Sequence, residues 1–592
     1  MNIFDSYRLL ITPLSPIHVG TGESYEPTNY VIEDGVLHEF DTGAVMAALS
    51  AADRKILLEI GNRRPDAGMI EALQRFFHER REPLMGHAIQ SIPVLPGVAN
   101  LYKQRIGQTA NREADGKKVI NRLEIDRTSF NPVTRLPVLF GSSLKGAIRT
   151  ALLNACNGQA SLNQQEQRPF DDYSRAYQQA NREEMRRAEK QMRHSAPHMQ
   201  QRLFQFSSGQ FQLDPFRLLS LSDASWVGES DLPATQARLA VNRKKAPVID
   251  AQGALRKSKA DDQYQLLECI PGWQYRAFSS QLTVQSLAGL DHRHRDKLPA
   301  ADLRFDMKQI AQACNAFYRP ILDNEIHQMR DRGYLDATWD KTIQSFLQAN
   351  VERFQRGEIF LLRVGRHSGA ESVTLNGVRN IKIMKAQGQP AEYLDKPKTL
   401  WLAADEKDQS TNLLPFGWLL VELLPMNTAV TDWPELKAAC KPHLAAARAF
   451  KGKLAEQQTR LDAAKAEAET KRREEEAEAH LAAQIEVQHQ REEVERQTRR
   501  AAMSGNQRRV EQFKEDFEKR AKEIRGRLDR QNTDYHQRAQ KLAKDALEGP
   551  DWTAEERQAA ADAIAEWLPK VVERIDKDAF KKLKLAALRG QA

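Results

Sequence analysis

Short alternations of apolar and polar positions run through the first 430 residues, and a different pattern replaces them afterwards. Residues 7–20, YRLLITPLSPIHVG, read as a strand. Pro13 and Pro16 withhold amide hydrogens that a central strand needs, so it is expected to lie at an edge or bend beyond Leu10. In residues 30–40, YVIE and VLHEF flank Asp34-Gly35, a pair that accepts the positive φ angles of a tight turn, which predicts a hairpin. Asp41 or Thr42 is placed to cap a helix reaching about Ile60, with Gly61 as its stop, and a second helix is expected over 67–80. PVLF at 137–140 runs into GSSLKGAIRTALLNAC: strand, small-residue turn, helix. Further strands are expected at 217–223, around Pro271-Gly272, at 358–364 and at 418–424, with helix between 302 and 354.

This order predicts an α+β fold of two split β-α-β, ferredoxin-like units, residues 1–235 with helical insertions and residues 236–430. After residue 430 Ala, Glu, Lys, Arg and Gln dominate, so residues 431–548 are expected to form a long helical extension and 549–592 a small helical knob. Residues 445–502 suit either a solvated single helix held by i,i+4 ion pairs or a weak coiled coil. Phe513, Phe517, Ile524, Leu528 and Tyr535 follow at spacings of 4, 7, 4 and 7, one apolar face that needs a cover. A folded-back antiparallel helix pair is the simplest arrangement. Thr553 and Glu556 form a capping box for the last short helices.

Composition narrows the class. The 592 residues include 88 Lys plus Arg and 80 Asp plus Glu, a net +8 that is mildly basic and compatible with a polyanionic partner. No apolar run approaches the roughly 18–20 residues of a membrane span, and MNIFDSYRLL has no signal-peptide pattern, so a cytoplasmic location is expected. Cys156, Cys269, Cys314 and Cys440 are widely separated, which excludes a disulfide framework and a CxxC zinc site.

Candidate chemistry lies at three places. In FGSSLKGAIRT, residues 140–150, Ser142 and Ser143 can cap a helix start whose N–H groups attract anions, with Lys145 and Arg149 on one face. A phosphate-binding helix start and a capped core helix both give this pattern, while GxxxxGK[ST] is absent, which rejects a nucleoside-triphosphatase. Arg363-Val364-Gly365-Arg366-His367-Ser368-Gly369 joins basic side chains to flexible glycines, as either a polyanion loop or a basic hairpin turn would. His18 precedes Gly20 at a strand end; it is either structural or the general acid or base of a metal-independent ribonuclease. Residues 291–296, DHRHRD, alternate with Arg and lack a spaced second half, so no metal is assigned, and no cofactor.

Taken together, LSPIHVGTGESYEPTNYVIEDG, PVLFGSSLKGAIRTALL and RVGRHSGAESVT resemble the three signature regions of the RAMP superfamily of CRISPR-associated proteins. The YEPTNYVI form of the first resembles the large terminal backbone subunits of type III-A (Csm) interference complexes. The resemblance implies RRM-related domains whose glycine loops hold the CRISPR RNA backbone, and a subunit that caps the filament at the 3′ end of the guide and takes part in its maturation. Its implied partners are CRISPR RNA, other RAMP backbone subunits, small helical subunits and host nucleases, with no membrane. It implies guide contacts at His18, Gly20, Ser142, Ser143, Lys145, Arg149, Arg363, Gly365, Arg366, His367 and Gly369. Where the slicing relatives carry an aspartate this chain reads Pro27-Thr28-Asn29-Tyr30, so no target slicing and no catalytic residue is expected. Residues 431–592 fall outside the resemblance, as an interaction module or as helices that only pair with each other.

Overall fold

In the computed structural model, which describes residues 3–591 other than 113–117, 121–122, 251, 255, 288–296, 386–387, 525–528 and 574, twelve strands build two main sheets. In chain order they are β1 (Phe4–Pro13), β2 (Gly20–Tyr25), β3 (Ile125–Thr128), β4 (Val138–Leu139), β5 (Leu219–Leu221), β6 (Ala224–Trp226), β7 (Gln236–Lys244), β8 (Tyr264–Cys269), β9 (Phe278–Gln285), β10 (Ile359–Arg363), β11 (Thr399–Ala404) and β12 (Trp418–Pro425). The first sheet runs β10-β12-β1-β9-β6-β4, with β5 also paired to β9; the second runs β11-β7-β8-β3-β2. The expected loop at 291–296 and Leu528 lie outside the described residues.

β1 is central, not an edge: Leu9 faces Leu423 of β12 on one side and Ser280 of β9 on the other. Its proline is tolerated because the ladder to β9 ends at Ile11 opposite Phe278, before Pro13 closes the strand. β10 is buried along its whole length, as a strand packed on both faces must be. The helices Gly141–Asn157 and Met307–Asp331 share the core of this sheet through Leu144, Ile148, Ile310 and Phe317, and Tyr318 Oη donates to the Ala147 carbonyl at 3.0 Å.

Strand alternation gives the second sheet two different faces. Leu239, Val241, Leu266 and Leu402 pack with Tyr30, Leu37 and Tyr102, contributed by the hairpin Tyr30–Glu33/Val36–Glu39 and the helix Pro96–Arg105. The hairpin turns as predicted, with Asp34 at φ 50° and Gly35 at φ 76°. The opposite face presents Ala240, Leu267, Ala403 and Phe416. The helix expected from 42 to about 60 is two, Thr42–Ala48 and Ala51–Gly61, because the Ser50 side chain accepts the Asp53 amide and starts a new helix.

The α+β class is what the chain adopts. Strands from both sides of residue 235 pair within each sheet, β1 with β9 and β3 with β8, and residues 1–466 form one compact unit. Residues 467–592 form a second, the helix Ala445–Ala502 running through the division. Residues 471–499 of that helix are exposed throughout, as a solvated single helix would be. Beyond it, Gly505–Glu523, Asp534–Glu548 and Ala554–Val571 pack together. Phe513 and Phe517 are buried among Leu542, Ile564 and Leu568, so helices of the same unit cover the face that the sequence left open. The Thr553–Glu556 capping box is present. The four cysteines are free thiols, and among the described residues no helix is long and apolar enough to cross a membrane.

Candidate nucleic-acid interface

The segment that links β1 to β2 and the segment after β10 are sewn together by their backbones. The Arg366 amide donates to the His18 carbonyl at 2.8 Å, the Gly417 amide to Pro16 at 2.9 Å, and the Val364 amide to Gly417 at 2.9 Å. Gly365 has φ +83°, and a Cβ there would stand 2.3 Å from the His18 carbonyl oxygen, so no side chain fits. The loop then crosses the face of the second sheet. Arg366 pairs with Asp126 of β3, which also accepts from Ser24 Oγ of β2 at 3.1 Å. His367 Nε2 meets Gln265 Oε1 of β8 at 2.9 Å, and its ring stacks on Trp401 of β11 at 4.6 Å and 19°. Gly20 to Glu23, Arg366 and Gly369 are exposed, and together they form a surface of backbone, glycine and guanidinium.

His18 does not reach that surface. It is fully buried, with Nδ1 2.7 Å from the Glu268 carbonyl. A carbonyl only accepts, so Nδ1 carries the hydrogen and Nε2 is left as an acceptor beneath Gly20, where a Cβ would come within 3.2 Å. Burial lowers its pKa, the Glu268 hydrogen bond opposes this and Arg366 adds to it, so the ring is neutral near pH 7. An enclosed neutral imidazole positions the loop and cannot exchange protons with a substrate. Burial, aided by the Arg366 charge, takes His367 down to about 3.

Arg363 is likewise interior. Its side chain is 3% exposed, bonded to Glu325 Oε1 at 2.7 Å and to the Phe416 carbonyl at 2.9 Å, while Trp418 Nε1 donates to the other Glu325 oxygen at 2.8 Å. The pair anchors the end of β10, and Gly369 packs against its guanidinium.

The strand-turn-helix at 137–157 forms as expected, but its chemistry differs. The position preceding the helix is Phe140, no side chain caps it, and the two serines fall inside the first turn, Ser142 exposed and Ser143 half-buried. The Gly141 amide donates to Asp223 Oδ1 at 2.7 Å, so a carboxylate of the chain already sits at the helix start. Lys145 Nζ donates to the Leu219 carbonyl at 2.6 Å, and burial lowers its pKa. Arg149 pairs with Asp214 at 3.0 Å between the rings of Phe204 and Phe216, each 4.9 Å away. The far end of this helix meets the segment just after the third motif: Asn154 Oδ1 accepts the Asn376 amide at 2.9 Å, and Asn157 Nδ2 donates to the Asn376 carbonyl at 3.2 Å. Its leading strand is tied to the first motif through Ser129, whose amide donates to the Val19 carbonyl at 2.6 Å and whose carbonyl accepts the Val138 amide at 2.9 Å. The first and third motifs thus meet backbone to backbone, and the second is joined to the first through one intervening residue.

Sequence reasoning missed Asp126, Gln265 and Trp401, which underlie the loop from three separate strands; of these only an aromatic on a strand carried any signal. It also missed a cavity of about 510 Å³ between the loop, the helix Met307–Asp331 and the start of β11. Among the described residues no group of His, Cys, Asp or Glu could hold a metal ion.

Residues 10–279 match the family model of the RAMP superfamily. No curated protein sequence matches the chain. Among solved structures, the chain is similar to a component of a cryo-EM structure of a Csm-crRNA-target RNA ternary complex in a type III-A CRISPR-Cas system. That pair shares 16% identity and a TM-score of 0.40, covering 70% of this chain and 100% of the other. It is also similar to the crystal structure of T. onnurineus Csm5, at 15% identity and a TM-score of 0.37, covering 69% of this chain and 99% of that one.

Proposed function

We propose that this chain, whose residues 10–279 match the RAMP superfamily model, is an RNA-binding backbone subunit of a type III-A CRISPR effector complex, equivalent to its fifth Csm subunit. It holds the CRISPR RNA through phosphates, caps the 3′ end of the guide, and assists guide maturation and assembly with other RAMP subunits and small helical subunits. The observation that carries this is the loop 365–369, where Gly365 lets the backbone close onto the His18 carbonyl and Arg366 stays exposed beside Gly20 to Glu23. Arg366, His367, Gly369 and Gly20 are its guide contacts. His18, Arg363, Lys145 and Arg149 support these surfaces from below, and Ser142 and Ser143 meet a different stretch of strand.

The alternative, a metal-independent guide-processing endoribonuclease with His18 as acid or base, has against it the enclosure of that ring. Co-purification tests the reading: the tagged chain, isolated from cells carrying its neighbouring genes, brings down CRISPR guides with a common 3′ end together with RAMP subunits. Recovery of RNA unrelated to any CRISPR array overturns it. Cleavage of a CRISPR repeat RNA by the purified protein in EDTA, abolished in His18→Ala, revives the ribonuclease.

A further inference from the structure

The cavity beneath the glycine loop has a composition that the backbone-holding role does not use. One wall is a single helix face, Phe317, Ile321, Asn324 and Gln328, at spacings of 4, 3 and 4. Gln328 Oε1 is buried without a hydrogen-bond partner, and the Asn324 amide, one turn earlier, is exposed toward the same space. A buried unsatisfied amide is costly, of order 1–3 kcal/mol, unless something bonds it. The lining also includes His367 and Trp401, whose rings stack on each other, an aromatic pair kept neutral because His367 is not protonated near pH 7.

Charge at the rim is asymmetric. Lys245 is taken by Glu371 and Arg363 by Glu325. Among the described residues, two further cations have no carboxylate within ion-pairing distance. Arg379 bonds only Thr374 Oγ1, the Glu371 carbonyl and Asn376 Oδ1, and Lys396 has no partner among the described residues. Desolvation lowers the Arg379 pKa, as for a guanidinium half-withdrawn from water, and outweighs the opposing pull of the Glu371 and Asp395 carboxylates. The volume, about 510 Å³, falls in the range of small-ligand sites. An aromatic pair, two amides and a cationic rim match a base and its phosphate: the ring stacks, its edge bonds the amides, and the phosphate sits on the cations.

We propose that this cavity receives one unstacked nucleotide of the RNA strand held at the loop, with its base against the Asn324 and Gln328 amides and the His367–Trp401 pair, and its phosphate on Arg379 and Lys396. The proposal rests on the RNA-binding reading, and continuity supplies the link: His367, Ser368 and Gly369 belong to the loop and also line the cavity. The loop thus carries the strand while the cavity takes out one base, which fixes the register of an otherwise sequence-tolerant grip.

The test is photocrosslinking of the full chain to a single-stranded RNA decamer made wholly of 4-thiouridine, with crosslinked peptides mapped by mass spectrometry. Crosslinks within 320–328 and 396–401, in addition to those at 20–24 and 365–369, are expected. In Asn324→Ala/Gln328→Ala the first set is lost and RNA affinity falls about tenfold, the size of one lost base contact, whereas crosslinks at 365–369 persist. Lys396→Ala, an exposed change that leaves folding intact, gives a smaller loss in the same direction. Crosslinks confined to 20–24 and 365–369, with the double variant binding as the parent, overturn the cavity proposal while the RNA-binding reading stands. No RNA binding at all overturns both. Crosslinking of 320–328 by free 4-thiouridine monophosphate but not by the decamer assigns the cavity to a free nucleotide and overturns the strand-borne one.

Discussion

Gly365 is where the interface is least forgiving. Alanine would take on a left-handed backbone, costing about 1–3 kcal/mol, and would also push its Cβ into the His18 carbonyl 2.3 Å away. Chemical denaturation of Gly365→Ala is therefore expected to show a loss above that range or a locally opened loop with weakened RNA binding; an unchanged midpoint contradicts the geometry. Glu325→Gln leaves buried Arg363 without its counter-charge, and breaking a buried pair from one side costs about 3–5 kcal/mol, which the same measurement reads. His367 supplies a pH dependence. Its pKa is about 3 in the folded chain against 6.5 unfolded, so between those values the unfolded chain binds more protons. Its contribution is complete above pH 6.5 and is lost as pH falls toward 3, by up to about 1.4 kcal/mol per unit. Denaturation at pH 7 and pH 4.5 is expected to show His367→Asn losing less stability across that interval than the parent.

At the scale of elements, cations that look alike in sequence divide by what surrounds them. Arg366 is exposed and faces Asp126, whereas Arg149 is wedged between two rings and bonded to Asp214. Fluorescence anisotropy over a salt series separates them: Arg366→Ala weakens RNA binding and lowers the slope of log K against log salt by about 0.7, the single-strand value per phosphate, while Arg149→Ala lowers thermal stability with an unchanged slope. An altered slope in Arg149→Ala would return the second motif to the RNA surface. The strand-turn-helix at 137–157 and the Asp34-Gly35 hairpin were legible because each is fixed by residues close in sequence. The break at Ser50 was not, since a serine inside an apolar periodicity becomes a cap only when the preceding turn has ended.

For the whole molecule, the two-unit division predicts independence. A chain ending at Ala466 keeps Leu461, which packs with Leu84 and Met85, and loses only the second unit. It is expected to melt cooperatively by circular dichroism and to bind RNA within about twofold of the full chain, since the proposed contacts lie before residue 402. Aggregation of that fragment would show that the first unit depends on the second. The α+β class could be read from local patterns, but the split near residue 235 could not guide assembly, because β1 and β12, more than 400 residues apart, are neighbours in one sheet.

What the sequence determined alone are features set by short-range rules: the hairpin, the Thr553–Glu556 capping box, the helical character of residues 445–502, and the glycine-rich stretches where backbone had to come close. Tertiary structure alone decided which of these meet. The first and third motifs share a surface because β1 lies at the centre of its sheet and β10 runs beside β12, returning residues 364–369 to residues 16–18. The second motif reaches the first only through Ser129, which bridges the Val19 carbonyl and the Val138 amide. Long-range pairing also decided which arginines are buried, and therefore which charges remain for a polyanion.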